Sequence, residues 1–357
     1  MPAIDELRVR GEIGGRTVQI EADGSVASVA YEPAPLAAGA VRVRTVRSAI
    51  SPGTEATFLG RDASNVTLAK HWNEGLRIFE AGRPDVSYPL AFGYRAVGVV
   101  ELSPSGEVAV GSRVWGNWRH TELVSMPLEQ AAAQLLPDGL SWSDGVDVGQ
   151  MGPICINAAE FGAGEQVGRP AVVFGAGPIG LITAQAVRVG GAAAVVVVDR
   201  LPSRLEIAAR LGLDGLEASD GTDVAAALKR RFGADGIPVV WECSGALSAL
   251  NEAIRTVARK GLVVAVGFYQ GGASPLMLGE EFHHNGVRIA CGQIGNPAGT
   301  LTRRDLQLRT LELVLSGQLV LGGLPRTTMR MEDAAAGFDA LKRPGEVLQV
   351  ELVYEVA

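Results

Sequence analysis

Cysteine is scarce in this chain: Cys155, Cys243 and Cys291 are the three in 357 residues, far apart and odd in number. They make no disulfide framework and no C-x-x-C metal site, and they fit a reducing compartment. A surplus of positive charge is also missing. Thirty-two basic residues against 39 acidic ones leave a net −7, without the concentrated basic surface that nucleic acid or an anionic membrane would require. No run is both long and apolar enough for a bilayer: the uncharged stretch at residues 170–187 approaches that length but contains three glycines, two prolines, a threonine and a glutamine. The opening MPAIDELRVRGEIGG is charged and lacks an apolar signal core. A cytoplasmic protein with no nucleic-acid partner and no membrane attachment is expected. Aromatic residues are sparse too, at 5%.

Glycine is what the chain has in excess. Its 46 glycines are about 13% of the residues, against an average near 7%. They follow no collagen-like period, so they belong to turns, close backbone approaches or ligand loops. Hydrophobic residues at 47% and charged residues at 20% provide for buried cores. A length of 357 residues suggests about two domains.

The first third reads as β-rich, with short β-branched segments at 41–46, 96–102 and 113–115 bounded by Gly, Pro or Ser. Residues 61–89 interrupt that rhythm with a polar, partly helical stretch that looks like an insertion or lid. From residue 170 strands and helices alternate. Strands are predicted at 171–174, 194–198, 239–241, 262–266 and 287–290, and helices at 179–187, 203–211, 224–232 and 247–257. This alternation predicts a doubly wound parallel sheet. Helices at 306–315 and 331–341 and a strand at 348–353 follow, a tail too short for a domain of its own and expected to rejoin the first.

The strongest motif is VVFGAGPIGLITAQ, with Gly175, Gly177 and Gly180 in a G-x-G-x-x-G spacing around Pro178 and Ile179. The first glycine permits a tight turn, the second lets backbone approach a pyrophosphate, and the third lets helix pack on strand. Asp199 stands 19 residues beyond Gly180 at a strand end, where a carboxylate accepts from ribose hydroxyls and repels a 2′-phosphate. NAD is therefore favoured over NADP. Arg200 and Arg204 lie beside it, as partners for a 2′-phosphate or as solvated side chains.

The order of a β-rich first half, VVFGAGPIGLITAQ, VVVVDRLPSRLEIAARLG, VVWECSG and LVVAVGF resembles the medium-chain dehydrogenase/reductase superfamily over nearly the whole chain. The resemblance implies an α/β protein: a GroES-like β-barrel catalytic domain (1–152 plus 297–357) with an inserted Rossmann NAD-binding domain (153–296), and an active site in the cleft. It also implies that Ser244, Gly245, Val266, Gly267 and Phe268 line the cofactor, and that edge strands near 287–293 pair in a homodimer.

Zinc-dependent members carry a cysteine in a G-I-C-G-x-D segment, a His-Glu pair after a glycine, and a Cys or Glu near the domain junction. This chain has Ile50-Ser51-Pro52-Gly53-Thr54-Glu55, Gly93-Tyr94-Arg95 and Gln150-Met151-Gly152-Pro153 in those places. Serine, tyrosine and glutamine are poor zinc ligands. The four-cysteine structural lobe is replaced by LSPSGEVAVGSRV. The chain thus resembles the zinc-lacking branch, with sorbitol dehydrogenase-like and bacteriochlorophyllide dehydrogenase-like members, and no metal is expected.

A dehydrogenase without zinc must manage a proton with its own side chains. The candidates are Tyr94, Glu55, Ser51, His71 in the lid segment, and Asn157 near the linking helix. Arg95, Trp118 and His120 are candidates for the substrate side, Arg95 pairing either with a structural carboxylate or with an anionic substrate. The leading expectation is an NAD-dependent secondary-alcohol dehydrogenase or ketone reductase. A zinc-free enoyl or quinone reductase and a non-catalytic NAD-binding protein stand beside it.

Overall fold

The computed structural model describes residues 14–59, 65–269 and 276–355. The chain divides into two compact units, one comprising Met1–Gln150, Pro325–Arg343 and Gln349–Ala357, the other Met151–Leu324 and Pro344–Leu348. The α/β class and the parallel sheet are as expected. Residues 297–324, expected with the first unit, pack in the second. The reason is helix Arg303–Leu315, which lies against helix Met151–Phe161 so closely that a Cβ on Gly152 would come 2.3 Å from Thr310 Cγ2.

Strand Ala40–Ile50 is the hub of the first unit. It pairs antiparallel with Ala96–Leu102, with Leu123–Pro127 along its first half and with Val350–Val353 along its last residues. Its early residues alternate, Val41 and Val43 inward and Arg42 and Arg44 outward. A register shift between Thr45 and Arg47 then breaks the period, so Thr45 and Val46 are both buried and Ser48, Ala49 and Ile50 follow them inside. Val41, Val43, Val100, Val114 and Met126 form the core beneath the sheet.

Arginines and carboxylates bind this unit together from chain segments distant in sequence. Arg95, about 1% exposed, donates from Nε to Asp147 Oδ1 at 3.1 Å and from Nη2 to Gln349 Oε1 at 3.1 Å. Arg326 reaches Asp147 Oδ2 at 2.7 Å and Glu351 Oε2 at 3.3 Å, and Arg47 reaches Glu351 Oε1 at 2.6 Å. Arg95 is thus a structural residue and not a substrate contact.

In the second unit the strands Pro170–Phe174, Ala194–Asp199, Asp214–Glu217, Val239–Glu242, Leu262–Ala265 and Arg288–Cys291 are all parallel. Their spatial order is third, second, first, fourth, fifth, sixth, the order of dinucleotide-binding sheets. The uncharged stretch 170–187 is split between a strand and the helix Pro178–Val189. Among the described residues no helix is long and apolar enough to cross a membrane.

Two expectations are corrected. The third strand, Asp214–Glu217, was not anticipated: it is a short edge strand with little apolar content. The stretch expected to be partly helical holds helix Val66–Ala69 and then a hairpin, His71–Asn73 with Ile78–Glu80, closed by the Trp72–Phe79 pair at 4.9 Å. Residues 61–64 of that segment lie outside the described residues.

Burial raises the Asp147 pKa, but Arg95 and Arg326 outweigh it and hold the carboxyl below its ordinary 3.8. The stabilisation is therefore complete above that ordinary value and is lost as pH falls through the lower folded one. Asp147→Ala, which leaves the buried Arg95 guanidinium without a counter-charge, should cost about 3–5 kcal/mol in urea unfolding. A loss below about 1 kcal/mol would remove the pair from its structural role.

Candidate active site

The loop after strand Ala40–Ile50 carries Ser51, Thr54 and Glu55, and a short 3-10 turn, Glu55–Phe58, begins as Glu55 N–H donates to Ser51 O at 3.0 Å. Gly93, at φ 136°, presses the neighbouring segment against residues 119–120, where a Cβ would sit 2.7 Å from His120 N. Only glycine tolerates that approach. Tyr94 follows, with the Ser51 and Thr54 hydroxyls and the Glu55 charge acting on its phenol. Asn117 Nδ2 donates to Tyr94 O at 2.8 Å and to Gln150 Oε1 at 3.2 Å. The three segments singled out by resemblance to metal-binding ones therefore converge. Burial, followed by the Glu55 charge, raises the Tyr94 pKa above 10.0, so the phenol remains a donor at neutral pH.

Behind Tyr94 runs a buried chain. Glu55 Oε2 meets His120 Nε2 at 2.9 Å, His120 Nδ1 meets Ser48 Oγ at 2.7 Å, and Ser48 Oγ meets Tyr354 OH at 2.8 Å. Glu55 Oε1 is buried without a hydrogen-bond partner among the described residues.

In the second unit the glycine turn joins strand Pro170–Phe174 to helix Pro178–Val189. Gly175 is at φ 92°, and a Cβ on Gly180 would fall 1.7 Å from Gly175 O. Gly177, the helix N-cap, faces open space with no atom within 4 Å of an added Cβ. These are the turn, packing and approach roles of a dinucleotide fingerprint, with helix N–H groups facing the phosphate position. Asp199 accepts from Ala176 N at 2.6 Å and Leu201 N at 2.9 Å.

Glu242, fully buried at the end of the fourth strand, organises the two segments assigned to the cofactor. Ser244 N at 2.7 Å and Ser244 Oγ donate to its Oε1, and Gly245 N at 3.1 Å and the Tyr269 phenol donate to its Oε2. Its carbonyl accepts from Val266 N and Gly267 N at 2.8 and 3.0 Å. Phe268 is exposed.

Several expected site residues serve the fold instead. Asn157 is fully buried, donating to Gly292 O at 3.3 Å and accepting from Ala298 N at 2.8 Å. Trp118 lies in the core and donates to Thr45 Oγ1 at 2.9 Å. His120, 1% exposed, has both ring nitrogens engaged, by Glu55 and by Ser48. Arg204 donates to Pro344 O at 2.9 Å and Val347 O at 2.7 Å, and burial lowers its pKa. Arg200 is exposed. His71 pairs with Asp85 at 2.6 Å on the exposed hairpin, apart from the Tyr94 cluster. Thr54, Asn117 and Glu242 were missed. Thr54 lies inside a recognised motif, and a carboxylate ending the apolar strand VVWE was a usable signal, whereas Asn117 had none.

A zinc-binding dehydrogenase family model matches residues 178–303. A Rhizobium meliloti protein assigned as a D-xylulose reductase is 31% identical, the match covering 84% of this chain and 83% of the relative. The D-guloside 3-dehydrogenase of Shigella flexneri is 29% identical, over 82% of this chain and 86% of the relative. The crystal structure of Bacillus subtilis 2R,3R-butanediol dehydrogenase superposes with a TM-score of 0.72 at 21% identity, covering 95% of this chain and 99% of that one. Structures sharing the fold hold NADH in one case and NADP in another. The chain belongs to the medium-chain dehydrogenase/reductase superfamily, a class of nicotinamide-dependent enzymes. Within it, the named relatives are polyol and alcohol dehydrogenases.

The zinc in the family description does not fit the residues present. The converging side chains are a serine, a tyrosine and a glutamine, and Glu55 already engages His120. Among the described residues no three His, Cys, Asp or Glu side chains gather as a ligand set.

Gly177→Ala should keep its melting temperature within about 2 °C, whereas Gly180→Ala should lose more than about 5 °C. The first should nonetheless weaken dinucleotide binding by about tenfold or more. Undiminished binding by Gly177→Ala would show that no phosphate approaches that turn.

Proposed function

We propose that the protein is a zinc-independent, NAD(H)-dependent oxidoreductase interconverting a secondary alcohol on a polyol, cyclitol or sugar-like biosynthetic intermediate with its ketone. The observation that carries this reading is the Tyr94 cluster: a phenol held in its protonated form by burial and by the Glu55 charge, within a shell of hydroxyl donors. The bound nicotinamide supplies or accepts the hydride. In reduction Tyr94 gives its proton to the substrate oxygen and is reprotonated from solvent; in oxidation it passes its own proton to the unpartnered Glu55 Oε1 as it takes the one from the substrate hydroxyl. The Ser51 and Thr54 hydroxyls favour the phenolate and so ease the proton's departure.

Asp199 supports NAD. Each of its oxygens accepts one backbone N–H and keeps a lone pair for a ribose hydroxyl. Its charge opposes a 2′-phosphate, while Arg204 is committed to backbone carbonyls. The guloside and xylulose of the relatives' names support a polyhydroxylated substrate. The exposed edge strand Arg288–Cys291, with Ile289 uncovered, supports a homodimer. The charge balance and scarce cysteines support a cytoplasmic location.

An absorbance screen with NAD and NADH across polyols, sugars, simple alcohols and ketones tests the reading. Turnover should be at least about tenfold better with NADH than with NADPH. Tyr94→Phe and Glu55→Gln should each lower kcat by about tenfold or more on any substrate found. Smaller losses in both would remove them from the chemistry, and cofactor binding without turnover would leave a non-catalytic protein. Metal analysis and light scattering of the same preparation should give far less than one zinc per chain and a dimer mass. Stoichiometric zinc would refute metal independence, and a monomer would refute the pairing.

A further inference from the structure

Among the described residues the fully buried carboxylates differ in what faces them. Asp147 is held by two arginines and Glu55 by a histidine. Glu242 is fully buried, and among the described residues it makes no ion pair. Each of its oxygens accepts from one backbone amide and one hydroxyl. The amides of Ser244 and Gly245 can only donate, and Ser244 Oγ already accepts from Ala246 N at 3.1 Å. Such a set of donors suits the ionised carboxylate, and among the described residues no cation stands against it.

Its place in the sheet gives that charge a consequence. Glu242 stands in register with Phe174, the last residue of the first strand, and Cys243 N donates to Phe174 O at 2.8 Å. The first and fourth strands flank the point where strand order reverses, and a dinucleotide lies across the crevice at their carboxyl ends. Asp199, at the end of the second strand, marks the adenosine side. The other nucleotide then lies toward the fourth and fifth strands, above the segments that Glu242 holds. Gly267 packs so tightly into this arrangement that a Cβ would come 2.3 Å from Gly245 N and 3.0 Å from Glu242 Oε2. The carboxylate is therefore held in one position.

We propose that Glu242 is an electrostatic determinant of the cofactor's redox state: its buried charge makes the crevice favour the oxidised dinucleotide over the reduced one. The inference rests on the nicotinamide reading above. The oxidised ring carries a positive charge and the reduced ring is neutral, so a fixed anion nearby stabilises only the first. Through an effective dielectric near 20, one fixed charge acting on another makes that difference of the order of tenfold in affinity.

The test is equilibrium binding of NAD+ and NADH, by calorimetry and by NADH fluorescence, to the full chain and three variants. Glu242→Gln removes the charge and keeps the size. It should raise the Kd for NAD+ relative to that for NADH by roughly tenfold. Tyr269→Phe removes one hydrogen bond, and Glu242→Asp keeps the charge on a shorter arm. Both should weaken the two forms alike and leave the ratio within about twofold. A ratio unchanged in Glu242→Gln overturns the proposal, as does an equal shift in Tyr269→Phe. Should Glu242→Gln fail to fold, a changed ratio in the charge-retaining Glu242→Asp overturns it and an unchanged one supports it. Wild-type protein that binds neither form would instead refute the nicotinamide reading.

Discussion

The buried lattice of Arg95, Asp147, Arg326, Glu351 and Arg47 is the constraint on which the first unit depends. It joins residues before 150 to residues after 325, two stretches with nearly all of the second unit between them in sequence. Apolar burial pulls strands together but discriminates weakly between registers; charged forks of fixed length discriminate strongly. Arg95 is also the neighbour of Tyr94. With its guanidinium committed to Asp147 and Gln349, the adjoining backbone is fixed, and the phenol reaches Ser51 and Thr54. The candidate chemistry rests on an ion pair that takes no part in it.

The second unit was largely legible in the sequence, and physics explains why. Parallel strands covered on both faces must be continuous apolar runs, and Ala194–Asp199 or Leu262–Ala265 have no other reading. Helix Val224–Phe232 announces itself by its periodicity and by Asp223 at the N-cap. The edge strand Asp214–Glu217 lacks that signal because an exposed edge needs no apolar run. The hairpin at His71–Glu80 was misread because its stability comes from a pairing of Trp72 with Phe79 across the turn, which a helical spacing hides.

The candidate site was legible only in part. Ser51, Glu55 and Tyr94 stand in motifs whose spacing marks them, and they come together. Asn157, Arg204 and Trp118 were credited with function because polar or amphipathic residues near a motif invite it. Each proves to satisfy a buried group instead: Asn157 binds Gly292 and Ala298, more than 130 residues away in sequence. Residue type reveals what a side chain can bond, whereas its partner depends on long-range contacts that local pattern does not encode. His120 shows the reverse, a residue assigned to the right neighbourhood but to the wrong layer, since it lies behind Glu55.

The Ser48–Tyr354 hydrogen bond sets an order of assembly. Ser48 leaves the ribosome early, yet its partner and the strand Val350–Val353 that covers its flank are translated some 300 residues later. Until then His120 has an incomplete anchor, the Arg47 and Arg326 guanidinium groups wait for Glu351, and the edge of strand Ala40–Ile50 is open. The nucleotide-type sheet has all six of its strands by residue 291 and is free to close before that point. In order of synthesis, the strands of the parallel sheet are thus complete well before the pairing that closes the phenol-bearing unit.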